Sequence, residues 1–563
     1  MKVNSFLLKI LFIFFFALLL RLYLVDSMPL GVRNDEASFG FNAYSILETG
    51  RDEHGKQFPL VFKAFGDQKL PAYMYSLVPV IKIFGLNNFA VRLPSVLAGS
   101  ISAVILFLLL LKISYLRRYA LLGGLLFAAS PWSIILSRSA FESNLALLFF
   151  ISGLYYYVSH LQSHKVKHLI LTGILFGLTW YTYVPYRLIT ALLMAGMVIV
   201  QKVHNKKAAL RSLYPMIIAL IICVLPLLPS VLSQSGTARF NHVGLFSDDG
   251  PTMEIIEART FCMEHFPKIL CYADSNKIVV YGRNMLNSFI QSLSPEYLFI
   301  TGDYNTAYLD AEHFGNLHLY LLPFYLLGGI YLGKKILNGK AETFEILLLC
   351  GIVISTLPAV LTHGPQMVRI SSLLPFLIFL TTYGIAYSVE LFNLSRQENF
   401  YIHTHTILAV VFGLLFLFNY IGISIPKNDV LYYSHIYRLM DYLGTVDEEI
   451  PIYVHKIPEA VTFYSYVNAV SPKEYQRIVT YPPLDAKGFS HANHFKNIYF
   501  TDKNYDELMC TLSSRKALFV ESEELDKNVK PIKIIYSSNA VHTMFFIYTL
   551  SSFPEPNCKE FRR

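Results

Sequence analysis

The sequence predicts a polytopic α-helical membrane protein of about eleven transmembrane helices, with a small α/β domain outside the membrane. Three observations carry that prediction. Hydrophobic residues make up 54% of the 563 and charged residues 15%, with a mean hydropathy of +0.44; a soluble chain carries about 25% charge. Apolar runs that approach or reach bilayer-spanning length recur along most of the chain. From about residue 428 they give way to short β-branched and aromatic runs separated by turns.

Taken in order, the predicted spans lie near 6–25, 93–111, 119–136, 143–159, 169–183, 186–200, 213–232, 317–333, 344–361, 370–388 and 407–425. The first lacks a small-residue cleavage site and is longer than a signal core, so it reads as a retained signal-anchor. With the N-terminus inside, the short inner connections hold Lys112, Arg117, Arg118, Lys165, Lys167, Lys202, Lys206, Lys207, Arg211, Lys334, Lys335 and Lys340. The outer ones hold only Arg138, Arg187 and Arg369, a strong positive-inside bias. This divides the chain into a transmembrane domain (1–427) with outer loops at 26–91 and 233–316, and an outer domain (428–563).

Between the first two spans, residues 36–49 have a helical rhythm that ends at Gly50, with Phe39, Ala43, Ile46 and Leu47 on one face. The apolar stretch 71–84 contains Pro79 and is too short to span securely, so both segments are expected to lie at the interface. In the outer domain EIPIYVHK, QRIVTYP, KNIYFTD, KALFVES and VKPIKIIYSS read as strands, and 439–446 and 503–513 as helices. Cys223 and Cys350 fall inside spans, whereas Cys262, Cys271, Cys510 and Cys558 fall in outer segments. Cys262–Cys271 and Cys510–Cys558 bridges are therefore compatible with an oxidising exterior, among three possible connectivities. The net charge of +8 is explained by inner-loop lysines rather than nucleic-acid binding, and there is neither CxxC zinc spacing nor a glycine-rich phosphate loop. The His403–Thr404–His405 stretch falls on the inner side and reads as a loop.

Chemistry is expected at Asp35 and Glu36, side by side where the first span leaves the bilayer. The bland alternative is that Asp35 caps a helix starting at Glu36 and that Glu36 favours its positive end. Adjacent helical side chains point about 100° apart and need not meet the same atom.

Longer motifs carry a resemblance. NDEASFGFNAYSILETGRDEHGKQFPLVFKAFGDQKLPAYMY, NNFAVRLPSVLAG, SPWSIILSRSAFESN, LTWYTYVPYRL, SPEYLFITGD and THGPQMVRIS, in that order, resemble bacterial members of the polytopic C-type glycosyltransferases, the protein mannosyltransferase-like and aminoarabinose transferase-like enzymes. The resemblance covers most of residues 10–388. It implies a C-type glycosyltransferase architecture and transfer of a sugar from a polyprenyl-phosphate carrier on the outer membrane face, with inversion. It implies Asp35, assisted by Glu36, as the acidic site and Lys69 as a cation near the carrier phosphate. Gln366 departs from the family's usual histidine, whereas Arg369 is retained.

Such a transfer needs a base near the acceptor and positive charge around the departing phosphate. Asp35 is the expected base or acceptor-orienting carboxylate, and Glu36 a holder of water, metal or acceptor; a divalent ion at either is an open expectation. Lys69, Arg138, Arg187 and Arg369 are the expected phosphate cations, against the alternative of snorkelling or local pairing. Asp67, Arg92, Tyr181, Tyr183, Asp303 and His313 are candidates for donor or acceptor binding, and Glu142 for pairing with Arg138. The expected partners are a polyprenyl-phosphate-linked sugar, an envelope glycan, lipid or secreted-protein acceptor, and membrane lipids, in a bacterial inner membrane. Competing readings are a polyprenyl-diphosphate oligosaccharide ligase or polymerase, and a noncatalytic lipid or polysaccharide transporter or assembly factor.

Overall fold

The structure, a computed structural model, describes residues 3–64, 67–204, 209–231, 250–303, 311, 314–362, 364–457, 460–483, 492–512, 516–525, 529–537, 543–553 and 558. It divides into two compact units, each built from two chain segments. One comprises Met1–Tyr23 and Ser95–Tyr420, the other Leu24–Pro94 and Ile421–Arg563.

The first unit is helical, and each of the eleven stretches expected to span contains helix. Among the described residues six helices are long and apolar enough to cross a membrane: Asn4–Leu22, Asn88–Leu110, Glu142–Ser163, Thr343–Val360, Leu373–Leu391 and Ser395–Lys427. A seventh arises if Arg117–Ala129 and Pro131–Arg138, bent by 51°, count as one span. The break has a local cause. Ser130 is extended and its Oγ accepts from the Ser133 N–H, while Pro131 starts the next helix, where the missing N–H costs nothing. Val166–Trp180, Ala209–Val224 and Leu322–Leu337 cover other expected spans with shorter helices, and Pro185–His204 covers a further one. The chain is a multi-pass membrane protein.

Two glycines bring Leu322–Leu337 and Leu373–Leu391 together. A Cβ on Gly328 would overlap the Leu380 carbonyl oxygen, and one on Gly384 the Phe324 carbonyl oxygen. Small residues at such crossings let backbones approach closely in a bilayer. The His403–Thr404–His405 stretch, expected as loop, lies in the helix Glu398–Asn419.

The second unit starts from the acidic helix, Asn34–Thr49. Arg33 precedes it in extended conformation, and Asp35 and Glu36 both lie in its first turn, where the helix dipole favours negative charge. Gly50 ends it at φ 69°, donating its N–H to the Ile46 carbonyl, a left-handed stop that glycine adopts without strain. A short antiparallel hairpin follows, β1 (Phe62–Ala64) and β2 (Asp67–Lys69), pairing Phe62 with Lys69. The helix Pro71–Phe84 comes next.

The rest of this unit is a six-stranded mixed sheet made of β3 (Ile452–His455), β4 (His494–Phe495), β5 (Ile498–Thr501), β6 (Leu518–Glu521), β7 (Lys533–Tyr536) and β8 (Thr543–Thr549), in the order β4-β5-β3-β6-β8-β7. β3 runs parallel to β5 and β6. Leu508, Met509, Phe519, Tyr548 and Phe553 belong to a buried cluster against it. QRIVTYP, expected as a strand, is instead split: Gln476–Ile478 end the helix Pro472–Ile478, and of the rest Thr480 alone bridges to His494. Cys262–Cys271 and Cys510–Cys558 are bridged.

Candidate functional site

The first turn of the acidic helix sends its two carboxylates to different partners. Asp35 Oδ1 lies 2.8 Å from Lys69 Nζ, which the hairpin presents at the end of β2. Lys69 is buried, whereas about a third of the Asp35 side chain (32%) is open to solvent. Glu36 is buried against Arg92: Oε1 takes the Nε donor at 3.1 Å and Oε2 the Nη2 donor at 3.2 Å. Glu36 Oε2 also accepts from the Arg33 N–H at 3.2 Å.

Arg92 is 1% exposed. Its remaining donors reach the carbonyls of Val25 at 2.8 Å, Pro29 at 3.0 Å and Gly31 at 2.5 Å. Glu36 and Arg92 together thus hold the chain reversal that leads into the acidic helix. A planar guanidinium fork suits that task, since its donors are fixed relative to one another. In this structure the outward-facing half of the acidic pair is Asp35.

Further along the same loop, Asn42 Nδ2 donates to Glu53 Oε1 at 2.9 Å, and the Glu53 N–H donates to Asn42 Oδ1 at 3.1 Å. Burial pushes the Glu53 carboxyl above its ordinary value, against the opposing influence of His54 and Asn42. Sequence reasoning passed over Glu53 because RDEHG reads as an exposed turn; nothing local marks it as buried. Asp67 is in β2, with its backbone opposite Ala64. His313 lies outside the described residues.

The other named residues belong to the helical unit. Arg138, fully buried, donates to the carbonyls of Leu20, Arg21 and Tyr23 at 3.4, 3.1 and 2.8 Å. It thereby serves the carbonyl end of the first helix, where a cation is favourable. Arg21, absent from the expected set, is also fully buried, bonded to Ser137, Ser133 and the carbonyls of Ala17 and Ala128. Its place inside an apolar run concealed it.

Asp303 is 1% exposed, and its Oδ2 accepts from the Met367 N–H at 2.6 Å. Trp132 Nε1 donates to the Met367 carbonyl at 3.0 Å. These bonds pin the loop that carries Arg369, whose Nη1 reaches Thr362 Oγ1 at 3.2 Å. Two residues beyond Arg369, the Ser371 hydroxyl meets that of Tyr186 at 3.0 Å. The segments bearing Arg187 and Arg369 are therefore joined beside the two arginines. Arg187 itself donates to the Trp180 carbonyl at 3.4 Å. Tyr183 is buried, and Tyr181 donates its hydroxyl to the Cys223 carbonyl at 2.7 Å.

Among the described residues, no three His, Cys, Asp or Glu side chains gather as metal ligands. Asp35 and Glu36 each already face a cationic side chain.

The chain aligns along 99% of its length with all of the apo crystal structure of ArnT from Cupriavidus metallidurans, at a TM-score of 0.57 and 10% identity. The fold is that of the ArnT-like C-type glycosyltransferases. The structure of Cupriavidus metallidurans ArnT bound to undecaprenyl phosphate aligns over the same shares, at a TM-score of 0.53 and 12% identity. Residues 68–231 match the family described as dolichyl-phosphate-mannose-protein mannosyltransferase. That match runs from the hairpin carrying Lys69 past Tyr181 and Arg187, and begins after Asp35 and Glu36. No curated protein matches at the level of sequence.

Proposed function

We propose that this protein is a polyprenyl-phosphate-sugar-dependent glycosyltransferase of the bacterial inner membrane. It moves a hexose or pentose to an envelope glycan, lipid or protein on the outer face. The observation that carries the reading is the Asp35–Lys69 pair, solvent-accessible on its acidic side, in a chain with the C-type fold.

In the proposed reaction Asp35 accepts the proton of an acceptor hydroxyl as that oxygen attacks the anomeric carbon. The bond from that carbon to the carrier phosphate breaks on the opposite face, inverting the centre, and the polyprenyl phosphate leaves with the electron pair. Lys69 faces the charge that develops on the phosphate oxygens and orients Asp35 in the resting state. Glu36 and Arg92 act through the backbone they hold. Arg369 and Arg187 are proposed contacts to carrier phosphate, and Tyr183 a contact to carrier or sugar.

The test compares the native chain with Asp35→Asn in liposomes, using a labelled polyprenyl-phosphate sugar pool and an envelope extract. Asp35→Asn is expected to lower transfer at least about a hundredfold, the lower end of what a positioned general base supplies, while polyprenyl-phosphate binding persists. Unchanged transfer would remove Asp35 from the mechanism. Activity only with diphosphate-linked oligosaccharides would replace the reading with a ligase.

A further inference from the structure

The acidic helix does not owe its position to the first outer loop alone. Gly40 forms a notch filled by Tyr466, from the helix Ala460–Val467 more than four hundred residues away in sequence. A Cβ at Gly40 would stand 2.5 Å from the Tyr466 ring and 2.9 Å from Val91. The Tyr466 hydroxyl donates to Asn88 Oδ1 at 3.0 Å, one turn before Arg92. Burial raises that hydroxyl's pKa well above its ordinary value and the Glu36 carboxylate adds to the shift, with Arg92 opposing it. Tyr466 is thus close enough to the Glu36–Arg92 pair to feel both charges.

At the far end of the acidic helix, Gln476 Nε2 donates to Ser45 Oγ at 3.0 Å, Thr49 Oγ1 at 3.2 Å and the Asp52 carbonyl at 2.8 Å. Between these two points Phe41 meets Tyr475 edge-on, with ring centroids 4.9 Å apart. These contacts lie along successive turns of one helix. They join it to two consecutive helices of the C-terminal segment, Ala460–Val467 and Pro472–Ile478.

We infer that this helix pair is a positioning clamp, in which Tyr466 and Gln476 fix the acidic helix so that its first turn presents Asp35 to Lys69. The inference rests on the reading of Asp35 as catalytic, and it gives the C-terminal domain a part in the reaction without contact with substrate. Packing against Gly40 sets the depth of the helix, and Gln476 sets its rotation at the other end. Glu36 and Arg92 transmit that setting to the turn before Asp35.

The test measures hydrogen exchange in the full-length protein in detergent alongside transfer kinetics, for Gln476→Ala, Tyr466→Ala and Tyr466→Phe. Gln476→Ala and Tyr466→Ala are expected to speed exchange in 34–49 about tenfold or more, through a looser local opening equilibrium, while β6 and β8 stay protected. The same variants lower kcat about tenfold, with KM for the polyprenyl-phosphate donor within about twofold, as expected when only the reacting geometry is lost. Tyr466→Phe keeps its ring in the notch and restores most of both readouts. Unaltered exchange in 34–49 for Gln476→Ala overturns the clamp, whatever the activity shows. Faster exchange with unaltered kcat overturns the positioning role. Absence of transfer by the native chain with every donor overturns the functional reading instead, and exchange alone then decides the clamp.

Discussion

At the residue scale, neighbouring carboxylates have been given unlike environments by one helical turn. Asp35 meets a lysine and keeps an open side, whereas Glu36 is closed in by a guanidinium whose other donors serve three carbonyls. Removing one member of a buried ion pair leaves the other uncompensated, which costs about 3–5 kcal/mol. Arg92→Met is therefore expected to destabilise the protein by about that amount, seen as a lower midpoint in thermal or denaturant unfolding of the detergent-solubilised chain. A loss below about 1 kcal/mol would mean that Glu36 finds other compensation. The acidic pair was visible in the sequence because carboxylates directly after an apolar span are conspicuous. Its division of labour was hidden, because Arg92 is 56 positions from Glu36 and no local spacing joins them. Arg21 and Glu53 were concealed for related reasons, one inside a hydrophobic run and the other in a turn that burial later closes.

At the element scale, hydropathy located helices well because a membrane-spanning segment must satisfy its backbone internally. It did less well where helices are short, bent or extended by polar turns. The Ser130–Pro131 break and the helical His403–His405 stretch show both limits. In the outer domain β3, β5, β6 and β7 followed their β-branched and aromatic runs. QRIVTYP formed no strand: its first three residues end a helix, where Gln476 bonds to the acidic helix. That outcome depends on a tertiary partner, which propensity does not contain. The longest strand, Thr543–Thr549, was not anticipated. The clearest mutational test of an element is the glycine crossing. Gly384→Val places a branched side chain where the Phe324 carbonyl already stands. It is expected to cost at least about 1–3 kcal/mol, as overpacking does, lowering the unfolding midpoint and the yield of monodisperse protein. Gly329→Val, on the facing helix Leu322–Leu337 at a position with open space around its Cβ, is the control. Equal effects of the two would reject close backbone packing as the cause.

At the scale of the whole molecule, the chain folds as two units that interrupt one another in sequence. The bridges Cys262–Cys271 and Cys510–Cys558 give a test of the proposed orientation. In intact cells a membrane-impermeant maleimide should label neither pair until a reductant is added, and should then reach Cys510 without lysis. Labelling of Cys510 only after lysis would turn the C-terminal domain to the inner side. The interrupted order has a consequence in time. The acidic helix emerges early, but Tyr466 and Gln476 are added only after the whole run from Ser95 to Tyr420 has been made. At about 5–20 residues per second, synthesis leaves it without those partners for some tens of seconds. During that interval the nascent first loop carries an apolar face with nothing from its own unit's second half to cover it, so a newborn chain halted before residue 421 would have the acidic residues but no finished seat for them.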